Sequence, residues 1–239
     1  MTNKLVVNEI FRSIDGEVHG CIGGQGSWSI FIRLQKCNLQ CKWCDTGYAQ
    51  TVYDGENELR SMTIDKIIAQ VIDESCNRKI NKITITGGEP LLQLYPLDLL
   101  ISSLNKLGFK ISVETNGSVS PPANSSLWPS HLVNSWIVDY KLPSSGMLGK
   151  MLPLDAELWG LLGDKDFIKF VVADESDFIM ALSIVGTIRW SNVNNNKVNF
   201  AMSPCLGFAQ RPKELLMLME KYEFFPHVSI QIHKLIDIK

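Results

Sequence analysis

Strand-patterned and helix-patterned segments alternate along most of this chain of 239 residues. Short runs of apolar and β-branched residues predict strands at 5–11, 27–34, 82–86, 110–115, 135–141, 167–173 and 197–203. Runs with helical periodicity predict helices at 63–75, 97–108, 154–162, 174–185 and 212–222. Thr63 is a candidate N-cap for the first helix, and the pattern at 228–236 allows a strand or a short helix. Such alternation favours a mainly parallel sheet with crossover helices.

The number of these strand–helix units predicts an α/β fold with a full or partial α/β barrel. An open doubly wound sheet agrees with the same pattern. In barrels the chemistry lies at the carboxyl ends of the strands. No internal repeat and no linker divides the chain, so we expect one domain over residues 1–239.

Composition and charge exclude several classes of protein. The net charge of −2 gives no basic surface of the kind that nucleic acids require. The sequence contains no run of about 20 apolar residues, so we expect no membrane span. The first residues lack the apolar stretch of a signal peptide. We therefore expect a cytoplasmic protein with reduced thiols that binds neither nucleic acid nor membrane.

Three of the six cysteines stand close together after the second predicted strand, as Cys37, Cys41 and Cys44. This C-x-x-x-C-x-x-C spacing lets three thiolates converge on one centre. A structural zinc site takes four ligands, and the nearest spare ones are His19 and Cys21, whereas a catalytic zinc needs only three. A four-iron cluster held by three cysteines leaves one iron open for a substrate or cofactor, while a closed four-cysteine cluster suits electron transfer.

A second motif, "TITGGEP" at 84–90, ends the next predicted strand. Its two glycines allow the backbone to approach a ligand closely. Its acid and nearby carbonyl groups offer acceptors for an ammonium group. Without the cysteine motif, the same stretch would be an ordinary strand-to-helix turn.

The cysteine motif, with an aromatic residue before its last cysteine, resembles that of the radical S-adenosylmethionine (SAM) superfamily, and "TITGGEP" resembles the superfamily's motif for the SAM amino group. Further stretches occur in the order of one family, the 7-carboxy-7-deazaguanine synthases. These stretches are "SIDGEVHG" (13–20), "FIRL" (31–34), "CNLQCKWCDT" (37–46), "TITGGEP" (84–90), "VETNG" (113–117) and "QIHKL" (231–235). The resemblance runs from about residue 8 to 235 and is thin between 120 and 225.

The resemblance implies a partial or modified (β/α) TIM-type barrel of the radical SAM superfamily and a reaction in 7-deazapurine (queuosine-type) biosynthesis. The substrate would be 6-carboxy-5,6,7,8-tetrahydropterin and the product 7-carboxy-7-deazaguanine, with loss of ammonia. A reduced 4Fe-4S cluster would cleave SAM, and the resulting 5′-deoxyadenosyl radical would take a hydrogen from carbon 6 of the pterin. Mg²⁺, a homodimer and an electron donor such as flavodoxin or ferredoxin are also implied.

The resemblance also assigns roles to individual residues. The metal-binding residues would be Cys37, Cys41 and Cys44 for the 4Fe-4S cluster and Thr46 for Mg²⁺. The SAM-binding residues would be Trp43, Cys44, Asp45, Gly88, Glu89, Glu114 and Lys141. The substrate-binding residues would be Ile14, Asp15, Gly16, Glu17, Arg33, Thr86 and His233. No residue is assigned as a catalytic acid or base, because the radical comes from SAM.

Arg33 carries an argument of its own, because it interrupts an apolar strand. A buried arginine needs an anionic partner, and a pterin carboxylate would pair with it through two hydrogen bonds. An internal salt bridge with Glu17 or Asp15 is the alternative. Glu17 would otherwise accept hydrogen bonds from ring N–H groups of the pterin.

Other assigned residues have ordinary structural interpretations as well. Trp43 could be a packed core aromatic, and Thr46 an ordinary turn residue rather than a hard oxygen ligand for magnesium. Lys141 could be solvated, and His233 could have a structural role.

The sequence departs from the family pattern at three places. Val18 and Lys36 stand where a glycine is common, and Val18 restricts the backbone beside the predicted substrate loop. The usual Ser-Pro-Lys is replaced by "DYK" at 139–141, with Pro143 beyond it. These changes bear on the geometry of the substrate side and leave the cluster motif intact.

Two other functions agree with part of the sequence. A radical SAM activase, which makes a glycyl radical on a partner protein, would share both motifs but would not need Glu17 and Arg33. A non-catalytic iron–sulfur or zinc protein would cleave no SAM, and the Gly-Gly-Glu-Pro turn argues against it.

Overall fold

A computed structural model describes residues 3–18, 23–50, 61–120, 132–190, 198–205 and 212–232. The strands are β1 Lys4–Ile14, β2 Trp28–Leu34, β3 Ser61–Thr63, β4 Lys82–Gly87, β5 Lys110–Thr115, β6 Ser135–Asp139, β7 Phe167–Val172, β8 Asn199–Pro204 and β9 His227–Val228. The helices are α1 Ile64–Glu74, α2 Leu94–Lys106, α3 Glu157–Leu161, α4 Glu175–Trp190 and α5 Pro212–Lys221. None of the helices in these ranges is long and apolar enough to cross a membrane.

All nine strands belong to one mixed sheet, in the order β3-β1-β2-β4-β5-β6-β7-β8-β9. β1 runs antiparallel to both β2 and β3, and the pairs from β2–β4 to β8–β9 are parallel. Within the described ranges β3 and β9 are edges that do not pair with each other, so the sheet is not closed. This arrangement confirms the predicted partial barrel.

The two faces of the sheet differ in polarity because successive side chains of a strand point to opposite faces. On β2, the side chains of Ile30, Ile32 and Leu34 are fully buried in the main hydrophobic core. The alternate residues Phe31 and Arg33 line a cavity on the other face. Apolar residues of the helices pack into the same core, namely Ile64, Ile67 and Val71 of α1 and Leu97, Leu100, Ile101 and Leu104 of α2. The face away from this core is therefore the one that carries the polar chemistry.

The connection between β1 and β2 reaches across that polar face. Its Asp15 is fully buried, and its carboxylate lies 2.9 Å from Lys82 Nζ and accepts from Thr84 Oγ1 at 2.6 Å. Lys82 and Thr84 belong to β4, on the far side of β2. A buried ion pair of this kind persists only when further hydrogen bonds satisfy it, and Ser27 Oγ, 2.9 Å from Lys82 Nζ, supplies one.

Val18, later in the same connection, makes an apolar contact with the sheet. Its side chain is buried against Phe167 of β7 and Ala201 of β8. A glycine here would leave that space empty, so the departure from the family's glycine is explained by packing. The β1–β2 connection thus spans the open side of the sheet from β4 to β8.

Most predicted elements are confirmed, with differences at their ends. Thr63 caps α1, since its side chain accepts from the backbone N–H of Lys66 at 3.4 Å. α4 extends to Trp190 rather than 185. Its own sequence carries apolar residues on all sides of the helix, including the exposed Ile179 and Trp190, so hydrophobic periodicity does not mark its end. The three-residue strand β3 was not predicted. The ambiguous segment begins as a strand at β9, and its residues beyond 232 lie outside the described ranges.

Candidate active site

A cavity lies at the carboxyl ends of β2 and β4 to β8. The segment from Cys37 to Cys44, called the cysteine loop below, forms part of its wall. The three cysteines Cys37, Cys41 and Cys44 all line it, together with Thr46. Five other residues predicted to bind SAM also line it: Trp43, Asp45, Gly88, Glu114 and Lys141. Four residues predicted to bind substrate do so as well: Gly16, Glu17, Arg33 and Thr86.

Three predicted residues within the described ranges, Ile14, Asp15 and Glu89, are not part of the cavity wall. Ile14 belongs to β1, and the carboxylate of Asp15 is used by Lys82 and Thr84 below the site. Glu89 lies behind the wall. His233 falls outside the described residues, as do His19 and Cys21, the spare ligands of the zinc alternative. Direct ligand contacts by these residues stay predictions.

The two glycines of "TITGGEP" hold the cysteine loop in place. The backbone N–H of Gly88 donates to Leu34 O at 2.9 Å, and that of Glu89 donates to Lys36 O at 2.7 Å. A Cβ on Gly87 would lie 2.2 Å from Leu34 O, and Gly87 has a positive φ of 122°. A Cβ on Gly88 would lie 1.9 Å from Lys36 O. The glycines are therefore required by the close contact between the ends of β2 and β4, whether or not they also contact a ligand.

Glu89 joins this turn to the end of β5. Its carboxylate accepts from Leu91 N at 2.9 Å, Thr115 Oγ1 at 2.8 Å and Asn116 N at 2.7 Å. Asn116 in turn lies 3.7 Å from the sulfur of Cys37 through its side-chain amide. Glu89 is thus a positioning residue that links two motifs of the site.

The thiols of the cysteine loop are partly buried. Burial raises the pKa of Cys37, and it raises the pKa of Cys41 to about 11. At neutral pH both thiols are protonated before a metal binds, and a metal must displace those protons. In the described ranges no group of three or more histidine, cysteine or acidic residues surrounds a single-ion position. The three thiols instead share one wall of the cavity, and thiolates are the donors that hold iron–sulfur clusters.

Lys36, directly before the first cysteine, has a positive φ of 80°. This left-handed region favours glycine and costs other residues about 1–2 kcal/mol. Its backbone N–H donates to Ala49 O at 2.8 Å and its carbonyl accepts from Glu89, so the conformation is held from both sides. A lysine in place of the family's glycine therefore carries local strain.

We expect Lys36→Gly to stabilise the protein. Relief of the positive φ outweighs the extra flexibility of glycine in the unfolded chain, so the free energy of unfolding should rise by about 0.5–1 kcal/mol. Urea unfolding of the metal-free protein measures this. Lys42→Gly in the same loop is the control, since Lys42 has no positive φ and its replacement should destabilise. Equal losses from both variants would contradict the prediction.

The substrate side of the cavity contains Arg33. Its Nη1 donates to Glu9 Oε1 at 2.8 Å and to the hydroxyl of Tyr48. The alternative salt bridge with Glu17 or Asp15 is therefore wrong. β1 pairs with β2 so that Glu9 lies directly beside Arg33. The Nε of Arg33 is buried and has no hydrogen-bond partner among the residues described. That edge of the guanidinium is therefore left for a ligand.

Charged side chains on β6 and β7 continue the polar wall. Asp139 Oδ2 lies 2.8 Å from Lys141 Nζ and 3.6 Å from Lys169 Nζ. Lys169 Nζ also lies 2.8 Å from Glu17 Oε1. Burial opposes the charge of both lysines, yet the neighbouring carboxylates outweigh it and raise the pKa of each. Both lysines are therefore cations at any physiological pH.

Glu114 differs from these paired groups. Thr86 Oγ1 donates to its carboxylate at 2.6 Å, and no salt bridge joins it to a lysine or arginine in the described part of the chain. Burial, with the charges of Glu17 and Asp15, raises the pKa of Glu114 to about 8. A cationic ligand would favour its carboxylate form.

Trp43 belongs to the cysteine loop and places its ring next to one of these charges. Lys141 Nζ is 5.2 Å from the centroid of its ring, a cation–π distance. Its indole Nε1 is buried and has no partner among the residues that the structure describes. The two residues stand together at the cofactor end of the cavity, which disfavours the solvated interpretation of Lys141.

Sequence reasoning missed Asp139, Lys169, Asn116 and Ser229. Lys169 had the same signal as Arg33, a charged residue within the apolar strand "FIKFVV". Asp139 stood in the "DYK" departure. Asn116 and Ser229 carried no such signal, because their roles depend on which strands lie side by side.

Comparisons with known proteins agree with this geometry. The profile of the Radical SAM superfamily matches residues 31–124, which contain both motifs. The structure is similar to that of QueE from Escherichia coli, with a TM-score of 0.66, 23% identity, and coverage of 95% of this chain and 94% of that one. Streptococcus suis SuiB bound to S-adenosylmethionine gives a TM-score of 0.53 at 15% identity, over 82% of this chain and 45% of that one. Both likenesses show the fold.

Curated relatives are closer in sequence. The 7-carboxy-7-deazaguanine synthase of Clostridium acetobutylicum is 35% identical over 99% of this chain and 96% of its own length. The enzyme of the same name from Koribacter versatilis is 38% identical over 96% of each chain. With this identity over nearly the whole length, the chain belongs to the 7-carboxy-7-deazaguanine synthase family of radical SAM enzymes.

Proposed function

We propose that this enzyme converts 6-carboxy-5,6,7,8-tetrahydropterin to 7-carboxy-7-deazaguanine, with loss of ammonia, in 7-deazapurine biosynthesis. The observation that carries the proposal is a single cavity in which a three-thiol loop faces a small polar wall. That wall offers an arginine edge, a carboxylate and a hydroxyl, from Arg33, Glu17 and Thr86. Such a wall suits a small anionic heterocycle better than the backbone of a partner protein.

The residues at the cofactor end fit a 4Fe-4S cluster with SAM. Cys37, Cys41 and Cys44 would hold three irons and leave the fourth open. When bound, the reduced cluster and SAM would supply the radical chemistry that removes a hydrogen atom from carbon 6 of the pterin. Lys141 and Glu114 provide a cation and an acid for the charged groups of SAM, and Trp43 covers the loop.

The substrate end fits the pterin. The Nε edge of Arg33 would receive the carboxylate, because Glu9 and Tyr48 already occupy Nη1. Glu17 would accept from ring N–H groups. Thr46, whose hydroxyl lies 3.7 Å from Cys44 Sγ, is the proposed oxygen ligand of Mg²⁺ beside the cluster.

The remaining features of the proposal concern the whole protein. We propose one radical SAM domain over residues 1–239, supported by the single sheet. A homodimer and an electron donor such as flavodoxin or ferredoxin are proposed from the family. The cytoplasm is the proposed compartment, because the five described cysteines are free thiols.

Anaerobic reconstitution tests the function. The protein is loaded with iron and sulfide and given dithionite, SAM, Mg²⁺ and 6-carboxytetrahydropterin, and the products are followed by mass spectrometry. We expect 7-carboxy-7-deazaguanine. Formation of 5′-deoxyadenosine alone would exclude this substrate and favour a glycyl-radical activase. Absence of both with an intact reduced cluster would favour a binding or electron-transfer protein.

Arg33→Lys should weaken recognition of the pterin carboxylate. Lysine keeps a cation beside Glu9 but loses the second edge of the guanidinium. A hydrogen bond between charged groups contributes about 1.5–3 kcal/mol, so the KM for the pterin should rise about 10- to 100-fold. Steady-state kinetics with varied pterin measures this, and the KM for SAM serves as the internal control. An unchanged pterin KM would show that the carboxylate binds elsewhere.

A further inference from the structure

Lys169 and Ser229 hold the carboxylate of Glu17 from two sides. Lys169 Nζ donates to Oε1 at 2.8 Å, and Ser229 Oγ donates to Oε2 at 2.9 Å. Ser229 is fully buried, and the side chains of Lys169 and Glu17 are 8% and 10% exposed. The three residues come from β7, the segment after β9 and the β1–β2 connection, which are distant in sequence. The carboxylate is therefore fixed in one orientation on the inner face of the sheet.

This arrangement leaves half of the acceptor capacity of Glu17 for a ligand. A carboxylate has about four acceptor sites, and the two bonds use one site on each oxygen. Glu17 lines the cavity, so the remaining sites are available to a flat ligand with two neighbouring N–H donors. The amino-pyrimidinone edge of a pterin has such a pair. Free rotation of the carboxylate would spoil the match.

Lys169 is itself held from the cofactor side. Its Nζ lies 3.6 Å from Asp139 Oδ2, and the same oxygen lies 2.8 Å from Lys141 Nζ. Lys141 stands over Trp43 next to the cysteine loop. One chain of ion pairs thus runs from Glu17 through Lys169 and Asp139 to Lys141. These ion pairs therefore link the carboxylate of Glu17, on the substrate side, to the cofactor end of the cavity.

We propose that Lys169 is a positioning residue for the substrate, which acts by orienting the Glu17 carboxylate toward the N–H donors of the pterin. It rests on the proposed function. Lys169 lines the cavity beside Glu17 and donates to its carboxylate, so we expect its loss to affect pterin binding more than SAM binding. Ser229 is the second support of the same carboxylate.

A double-mutant cycle tests this with the reconstituted enzyme. Lys169→Met should raise the KM for 6-carboxytetrahydropterin about 10- to 100-fold, with the KM for SAM changed less than about twofold. Glu17→Gln should have a similar effect. The Lys169→Met/Glu17→Gln double variant should be no worse than Glu17→Gln alone, because the residue through which Lys169 acts is already lost. 5′-Deoxyadenosine should exceed product in each of these variants.

The double-mutant cycle tests the positioning role even if one of the variants fails to fold. If Lys169→Met alone is unstable with Glu17 left unpaired, the neutral double variant is compared with Glu17→Gln. Additive losses, or equal losses for pterin and SAM, would overturn the positioning role. Lys221→Met, which removes the exposed partner of Glu175, is the control and should leave both KM values unchanged. Failure of the unaltered enzyme to make product would instead count against the proposed function.

Discussion

Replacement of Cys41 by alanine is expected to remove both SAM cleavage and product formation. Its thiol is the middle one of the three that line the cavity, and residues 36–46 contain no fourth cysteine to replace it. Loss of mere outer partners of metal ligands costs about 10- to 100-fold, so loss of a ligand should exceed about 100-fold. Iron and sulfide content and the visible absorbance of the cluster, with 5′-deoxyadenosine and deazaguanine yields, measure the effect.

Cys76→Ala is the matched control for this variant. Cys76 is also a free thiol, but it follows α1, and its sulfur accepts a hydrogen bond from Arg12 rather than facing the cavity. Its replacement should leave cluster content and product yield unchanged. A Cys41→Ala protein that retained full iron and activity would mean that the three-cysteine loop does not hold the cluster.

The fold was readable from local patterns where apolar and polar residues alternate. β5 was predicted at its observed bounds, Lys110–Thr115, because apolar Ile111 and Val113, which enter the core, alternate with polar residues. β3 was missed because three residues cannot show a period, and it exists only through pairing with β1. The antiparallel position of β1 is likewise a tertiary feature. The patterns therefore specified a mainly parallel, partial barrel but not the antiparallel strand pairs at its edge.

The site was predictable in its motifs and not in its partners. The spacing of Cys37, Cys41 and Cys44 placed them in one loop, whereas Glu17 and Asp15, the alternative internal partners considered for Arg33, were wrong, since its partner is Glu9. An irregularity between Val7 and Glu9 sets the register of β1 on β2 and brings Glu9 beside Arg33. Side-chain periodicity alone does not reveal such a shift. The pairing of Asp139 with Lys169 across β6 and β7 likewise depends on strand register, which the sequence does not show.

Gly88→Ala is expected to damage the cluster site although it removes none of the three cysteines. A Cβ at this position would lie 1.9 Å from Lys36 O and 3.0 Å from Cys37 N, and both are backbone atoms that cannot turn aside. The turn and the cysteine loop must separate, which breaks the bond from Glu89 N to Lys36 O. Forced separation of packed backbone should lower the free energy of unfolding by about 1–3 kcal/mol. Urea unfolding and iron content after reconstitution measure the two effects.

Gly47→Ala tests whether the damage comes from this contact rather than from any added methyl group. Gly47 follows the cysteine loop, and a Cβ there would meet nothing within 4 Å. It should keep its stability, its iron and its product yield. If Gly88→Ala loaded iron as well as Gly47→Ala, the close contact of the two strand ends would not be what holds the cysteine loop. If both variants failed alike, flexibility of the loop itself would be the requirement, and the glycines would serve motion instead of contact.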